Sequence, residues 1–251
     1  MSSLRESAAQ LAQHLSLPLA DEPDGRFSYL LVLTRERLEL HSQGPFAPGP
    51  VYVDFTQGKL AYRRRLGGGR QQALARAVGL KGGYVPDVLD ATAGLGGDSF
   101  VLACLGCQVR MVERSPVVGS LLLDGLERAT SDQEIGGLVQ TRLRLHITDS
   151  RELMRDLSDD ERPEVILLDP MYPPRTKKAQ VKKEMQVLQR LLGSDSETDG
   201  LLENALSCAR RRIVVKRPRL ANALRGPAPS AQIIGQSTRF DIYAKEQLKK
   251  G

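Results

Sequence analysis

Three cysteines, three histidines and no long apolar run set the first limits on this 251-residue chain. With only Cys104, Cys107 and Cys208, no disulfide framework is implied, and a reducing compartment, the cytoplasm, is the expected home. Cys104 and Cys107 have CxxC spacing, but no second pair completes a metal site, and the pair falls where a helix is expected to end at Gly106. Packing is its expected role. His14, His41 and His146 are scattered and form no ligand set, so no metal is expected. No segment approaches the roughly 18 apolar residues of a membrane helix. The opening Met-Ser-Ser-Leu-Arg-Glu mixes charge with short apolar runs, unlike a signal peptide, and the chain is expected to be neither secreted nor membrane-spanning. Internal repeats and low-complexity tracts are absent as well.

What is present is an average globular composition, 41% hydrophobic and 26% charged, with a formal net charge of +6. Much of the surplus lies in Arg63, Arg64 and Arg65, in Arg210, Arg211 and Arg212, and in Lys216 and Arg217. Basic patches attract polyanions, which makes a nucleic acid the expected partner, although solvated basic faces are also common.

Short apolar runs at 29–34, 38–41 and 51–55, broken by Gly44, Pro45, Pro48 and Pro50, predict a small β-rich N-terminal subdomain. The basic turn Gly67-Gly68-Gly69-Arg70 then leads into a predicted helix over 71–78. The division is placed there, with 1–66 as the small subdomain and 67–251 as the main domain. In the latter, strands are predicted at 85–89, 109–112, 143–147, 165–168, 212–216, 232–234 and 239–243, and helices at 99–105, 117–128, 177–192 and 201–209. This alternation predicts an α/β fold with a Rossmann-like, mostly parallel sheet. The last two strands lie too close for a crossover helix and are expected to form an antiparallel C-terminal hairpin at one edge, as in the methyltransferase variant of that fold.

The first strand of this series ends Val88-Leu89-Asp90 and runs into Ala91-Thr92-Ala93-Gly94-Leu95-Gly96-Gly97-Asp98. A glycine turn between strand and helix places backbone close to a ligand in the crevice at the strand ends. Gly94 and Gly96 suit that approach. A GxGxxG dinucleotide motif would need glycine where Ser99 stands, and the carboxylate of Asp90 would oppose a diphosphate while suiting the cationic amino-acid end of S-adenosylmethionine. The second strand ends at Glu113, from which a carboxylate can accept both hydroxyls of a ribose, in NAD as well as in the methyl donor. The third ends at Asp149 and Ser150, where an acid can accept an adenine amino group. Each of these acids could instead cap the helix that follows it.

The fourth strand leads into Asp169-Pro170-Met171-Tyr172, which resembles the Asp/Asn-Pro-Pro-Tyr motif of methyltransferases acting on exocyclic amines of bases, with Met171 in place of a proline. An aromatic amine is a poor nucleophile because its lone pair is delocalised. It must be held in line with the methyl group while its developing charge is stabilised. Asp169 can accept one amine hydrogen and the Pro170 carbonyl the other, with Tyr172 stacked on an extruded base. Lys177, Lys178, Lys182 and Lys183 on the helix that follows could meet RNA phosphates.

Taken together, Asp90 to Gly96, Arg110 to Arg114, Leu168 to Met171, Val181 to Met185, Val214 to Pro218 and Arg239 to Tyr243 resemble the ribosomal RNA small subunit methyltransferase J family over nearly the whole chain. The resemblance implies transfer of a methyl group from S-adenosylmethionine to N2 of one guanine near the 3′ end of 16S ribosomal RNA, with naked RNA or the small ribosomal subunit as partner. It also implies cofactor contacts at Gly97, Asp98, Glu113, Arg114, Asp149, Ser150 and Asp169. Two other readings stay open: an NAD(P)-dependent oxidoreductase, and a non-catalytic RNA-binding ribosome-assembly factor.

Overall fold

The computed structural model describes residues 3–22, 25–44, 47–57, 69–170, 183–192 and 200–245. The chain opens with a helix the sequence reading lacked, α1 (Leu4–His14), started by a capping box. The Glu6 N–H donates to the Ser3 hydroxyl, and the Ser3 N–H donates to the Glu6 carboxylate at 2.7 Å. Strands β1 (Tyr29–Leu33) and β2 (Leu38–Ser42) then pair antiparallel.

The expected third strand, at 51–55, makes only a bridge between Leu40 and Val51. Its period-two pattern is real, since Val51, Val53 and Phe55 are buried and Tyr52 is exposed. The buried side, however, packs into the main core and joins no ladder. Helix α2 (Ala73–Val78) ends at Gly79, whose φ of 89° is the left-handed cap that glycine adopts without strain. The placed boundary between residues 66 and 67 lies outside the described residues.

The main sheet contains β3 (Val88–Asp90), β4 (Val109–Glu113), β5 (Leu143–Ile147), β6 (Val165–Leu168), β7 (Arg212–Pro218), β8 (Ala231–Ile234) and β9 (Thr238–Ala244) in the order β5-β4-β3-β6-β7-β9-β8. All neighbours from β5 through β7 are parallel, whereas β9 runs antiparallel to both β7 and β8. The expected C-terminal hairpin is there, with β9 inserted between β7 and the edge strand β8.

Helices α3 (Gly97–Cys104), α4 (Pro116–Thr130), α5 (Gly136–Arg142), α6 (Ser150–Asp156), α7 (Lys183–Leu192) and α8 (Leu201–Cys208) cover the sheet. Two of them, α5 and α6, were not expected: at seven residues each they are too short to display a helical apolar period. Residues 177–182 of the helix predicted over 177–192 lie outside the described residues.

Alternation along the strands divides the core into two layers. Val88, Met111, Leu167 and Val214 pack with Phe100 and Val101 of α3 and Leu121 and Leu122 of α4. On the opposite face Leu89, Val112, Ile166, Leu168 and Val215 pack with Met154 of α6 and Leu201, Leu202 and Ala205 of α8. The first layer also takes in Leu40, Val51, Val53 and Phe55, so the N-terminal segment shares the main core. The Phe55 and Phe100 ring centroids are 4.8 Å apart. Among the described residues, no helix is long and apolar enough to cross a membrane.

Candidate active site

Strand order reverses at β3, which has β4 on one side and β6 on the other. In a doubly wound sheet this opens a crevice at the carboxyl ends of the strands. Asp90 ends β3, Glu113 ends β4 and Asp169 follows β6, so three sequence-predicted acids are brought to one rim.

The glycine turn is pinned from both sides. The Ala91 N–H donates to the Leu167 carbonyl at 3.0 Å, and the Ala93 N–H donates to the Val112 carbonyl at 3.0 Å. Gly94 has φ 54°, and a Cβ built on it meets nothing within 4 Å among the described residues. Gly96, with φ 74°, faces the interior instead, where a Cβ would lie 2.7 Å from Leu122 Cδ1 and 3.2 Å from Phe55 Cζ. The two glycines thus differ in purpose: Gly94 keeps the crevice wall clear, and Gly96 lets the turn sit on the core. Gly97 then begins α3.

Glu113 supports this turn directly, accepting the Gly94 N–H at 2.9 Å with one oxygen and the Ser115 N–H at 2.8 Å with the other. Arg114 follows it as an exposed residue. Asp90 is 3% exposed, accepts from the Ser99 hydroxyl at 2.5 Å and also receives the Thr92 N–H. Burial pushes its carboxyl up to about 7, with the Ser99 hydrogen bond opposing and the nearby Asp98 charge adding to the rise.

Asp98 does not cap α3; Gly96 occupies the N-cap position. Its carboxylate instead accepts from the Lys216 ammonium at 2.6 Å, and the same ammonium donates to Asp169 Oδ2 at 2.6 Å. Lys216 was read only as a basic residue and as part of the family pattern, yet it is the link between the two acids. The sheet register explains the meeting. Leu168 of β6 pairs with Val215 of β7, so the next residues, Asp169 and Lys216, emerge side by side on the layer that carries α3. A lysine closing an apolar strand run, level with the acids that close the others, was the available signal. Burial alone would lower the Lys216 pKa, but Asp169 and Asp98 hold it raised.

Asp169 is also fixed through its backbone, whose N–H donates to the Thr92 hydroxyl at 2.6 Å. Burial in the crevice pushes its carboxyl upward against the attraction of Lys216. Pro170 is buried behind it, while Met171 and Tyr172 lie outside the described residues.

At Asp149 the capping role applies. Its carboxylate accepts the Arg151 N–H at 2.8 Å and the Arg151 guanidinium at 2.6 and 3.1 Å, and the Arg151 side chain holds it down to about 2. Ser150 is buried at the start of α6, and Ile147 at the end of β5 packs closely over Gly119.

The arginine cluster at 210–212 is not part of this rim. It precedes and starts β7, at the amino ends of the parallel strands. Arg210 pairs with Asp87, Arg211 pairs with Glu164 and stacks over the Tyr84 ring at 4.6 Å, and Arg212 donates to the Ala77 carbonyl. Arg63, Arg64, Arg65, Lys177, Lys178 and Lys182 lie outside the described residues.

A mostly parallel seven-stranded sheet with an antiparallel strand inserted near one edge, and acids closing β3, β4 and β6 around a glycine turn, defines a methyltransferase of the Rossmann-like class. The chain belongs to the family of S-adenosylmethionine-dependent methyltransferases whose model, described as "Putative SAM-dependent methyltransferase", matches residues 10–245. It is 52% identical over 239 residues to "Ribosomal RNA small subunit methyltransferase J" of Nitrosococcus oceani, covering 94% of this chain and 93% of that one. A protein of the same name from Pseudomonas aeruginosa is 48% identical over 246 residues, 98% and 93% of the two chains. The crystal structure of a SAM-dependent methyltransferase from Neisseria gonorrhoeae superposes with a TM-score of 0.75 at 36% identity, covering 96% of this chain and 92% of that one.

The cofactor is therefore S-adenosylmethionine, and the crevice fits it. Asp98 and Asp169 against the single charge of Lys216 leave the rim negative, which suits a cationic donor and opposes a diphosphate. The open wall at Gly94 leaves room for it. The dinucleotide alternative has no support.

Proposed function

We propose that this protein transfers a methyl group from S-adenosylmethionine to the exocyclic N2 amine of a specific guanine in 16S ribosomal RNA, acting on the RNA or the small subunit in the cytoplasm. The observation that carries the reading is the position of Asp169, hydrogen-bonded to the glycine turn through Thr92 and one strand from Asp90. The names of the most similar relatives supply the substrate class.

In this reading residues 67–251 hold the cofactor and the reacting groups, and 1–66 form the small subdomain beside them. Asp90, Gly94, Gly96, Gly97, Asp98, Glu113, Arg114, Asp149 and Ser150 hold the methyl donor, with Glu113 accepting the ribose hydroxyls. Bound there, the donor supplies an electrophilic methyl group on a sulfonium. Asp169 accepts one hydrogen of the guanine amine and the Pro170 carbonyl the other, which draws the nitrogen toward tetrahedral geometry and aims its lone pair. Tyr172 stacks on the extruded base. As the N–C bond forms and the C–S bond breaks, the nitrogen becomes cationic and strongly acidic, and the Asp169 carboxylate takes the proton it sheds.

The test is transfer of labelled methyl to purified small subunits lacking the modification, comparing the parent with Asp169→Ala. Methyl recovered as N2-methylguanine at one position, and lost in the variant, is the expected result. Cofactor binding without transfer to subunits or free RNA would overturn the ribosomal substrate, as would a non-catalytic assembly factor, which would bind RNA but never transfer methyl.

A further inference from the structure

A carboxylate that is to take the proton shed by the methylated amine must be ionised, yet Asp169 stands in a crowd of acids. Among the described residues the charged groups that act on it include Asp98 on α3, Asp90 at the end of β3, and Lys216 and Arg217 on β7. The two carboxylates favour retention of its proton. Arg217 is 1% exposed and donates to the Asn222 carbonyl, contributing to Asp169 through its field. Lys216 hydrogen-bonds Asp169 directly at 2.6 Å and is held in place by Asp98 at the same distance.

We propose that Lys216 is a positioning residue for the methyl transfer: its ammonium binds Asp169 Oδ2, keeps that carboxylate ionised and fixed in direction for the guanine amine, and ties it through Asp98 to the first turn of α3. Oδ1 is then the oxygen that receives the amine hydrogen. The inference rests on the reaction assigned above. It also explains a cation in a crevice built for a cationic donor, since Lys216 neutralises one of two acids and leaves the other charge for the sulfonium. Lowering the basicity of Asp169 does not impede the final proton transfer, because a guanine carrying the extra proton on its exocyclic N2, whose lone pair otherwise belongs to the ring, is a much stronger acid than a carboxylic acid.

Single-turnover methyl transfer to small subunits, followed from about pH 5 to about pH 9, tests this on the full chain. Lys216→Met is expected to slow transfer by about tenfold to a hundredfold at neutral pH and to move the acid limb of the profile upward by about one unit. Lys216→Arg, which keeps the charge, returns the limb to its parental position, and cofactor affinity measured separately changes much less than the rate. A uniformly slower Lys216→Met with an unmoved limb would assign Lys216 a merely structural part and overturn the proposal, as would an unchanged rate. If Lys216→Met does not fold, Asp98→Asn carries the test. It releases Lys216 wholly to Asp169 and removes a repelling charge, so the limb must move downward; an unmoved limb rejects the idea. Absence of transfer by the parent would instead count against the assigned reaction.

Discussion

The backbone N–H of Asp169 donates to the Thr92 hydroxyl, tying the acid that follows β6 to the glycine turn that follows β3. Thr92→Val keeps the shape and removes the acceptor, leaving a donor unsatisfied at a cost of about 1–3 kcal/mol. The turnover rate should fall by about tenfold or more while cofactor affinity drops less, and Thr92→Ser should recover most of the loss. Equal losses in both would mean that Thr92 serves only the donor.

Gly94 and Gly96 should separate binding from stability. In Gly94→Ala the new methyl meets open crevice, so cofactor affinity should suffer while the melting temperature moves by a few degrees at most, reflecting about 1–2 kcal/mol of left-handed strain. In Gly96→Ala it strikes Leu122 and Phe55, adding overpacking of about 1–3 kcal/mol to the same strain. Thermal unfolding beside calorimetric titration distinguishes them.

Asp90 makes stability depend on pH in a definite direction. Its folded carboxyl, raised to about 7, keeps a proton that the unfolded chain releases near 4, so folding loses stability as pH rises between those values and levels off above about 7. Asp90→Asn removes that loss. Its melting temperature should exceed the parent's at pH 8 and converge with it toward pH 4, while cofactor binding weakens. A gap of constant size across this range would contradict the assigned burial effect.

Arg210→Ala and Arg211→Ala test whether the cluster at the amino ends is structural. Partly exposed ion pairs contribute about 0–1 kcal/mol each, and the Arg211 stack on Tyr84 adds a similar amount. The expected outcome is a melting temperature lower by a few degrees with unaltered KM for subunits. A raised, salt-sensitive KM would place RNA at this end of the sheet.

Glu113→Gln should weaken cofactor affinity by about tenfold to a hundredfold, since hydrogen bonds to a charged group contribute about 1.5–3 kcal/mol. Equilibrium binding measures it, and an unchanged dissociation constant would remove Glu113 from the ribose site.

Much of this site was legible because its signals are local. Asp90 to Asp98 is one strand, one turn and one helix start, and Asp169 closes an apolar run beside a proline. Lys216 escaped because its meaning depends on register, on Val215 lying against Leu168, which brings together Asp169 and Lys216 from 47 positions apart in the sequence. Helix α1 was overlooked although Ser3 and Glu6 spell its capping box, since no residue of α1 is buried and its only large apolar side chains are Leu4 and Leu11. At 51–55 the reverse occurred: an alternating pattern reported burial correctly and pairing wrongly, because periodicity registers only which side chains face a core. Asp149 shows the same limit, for an acid closing a strand serves a cap or a ligand from an identical sequence position.

The packing of Val53 and Phe55 has a consequence for how the chain can be cut and inherited. A Cβ on Gly125 would lie 2.5 Å from Val53 Cγ1, the Arg128 guanidinium donates to the Val53 carbonyl, and Phe55 sits under Gly96. Trimming the protein to its sheet-bearing part would strip the underside of the donor loop and bare Phe100 and Leu122 to water. The leading segment is in effect a keystone, translated first yet seated only once α3 and α4 exist.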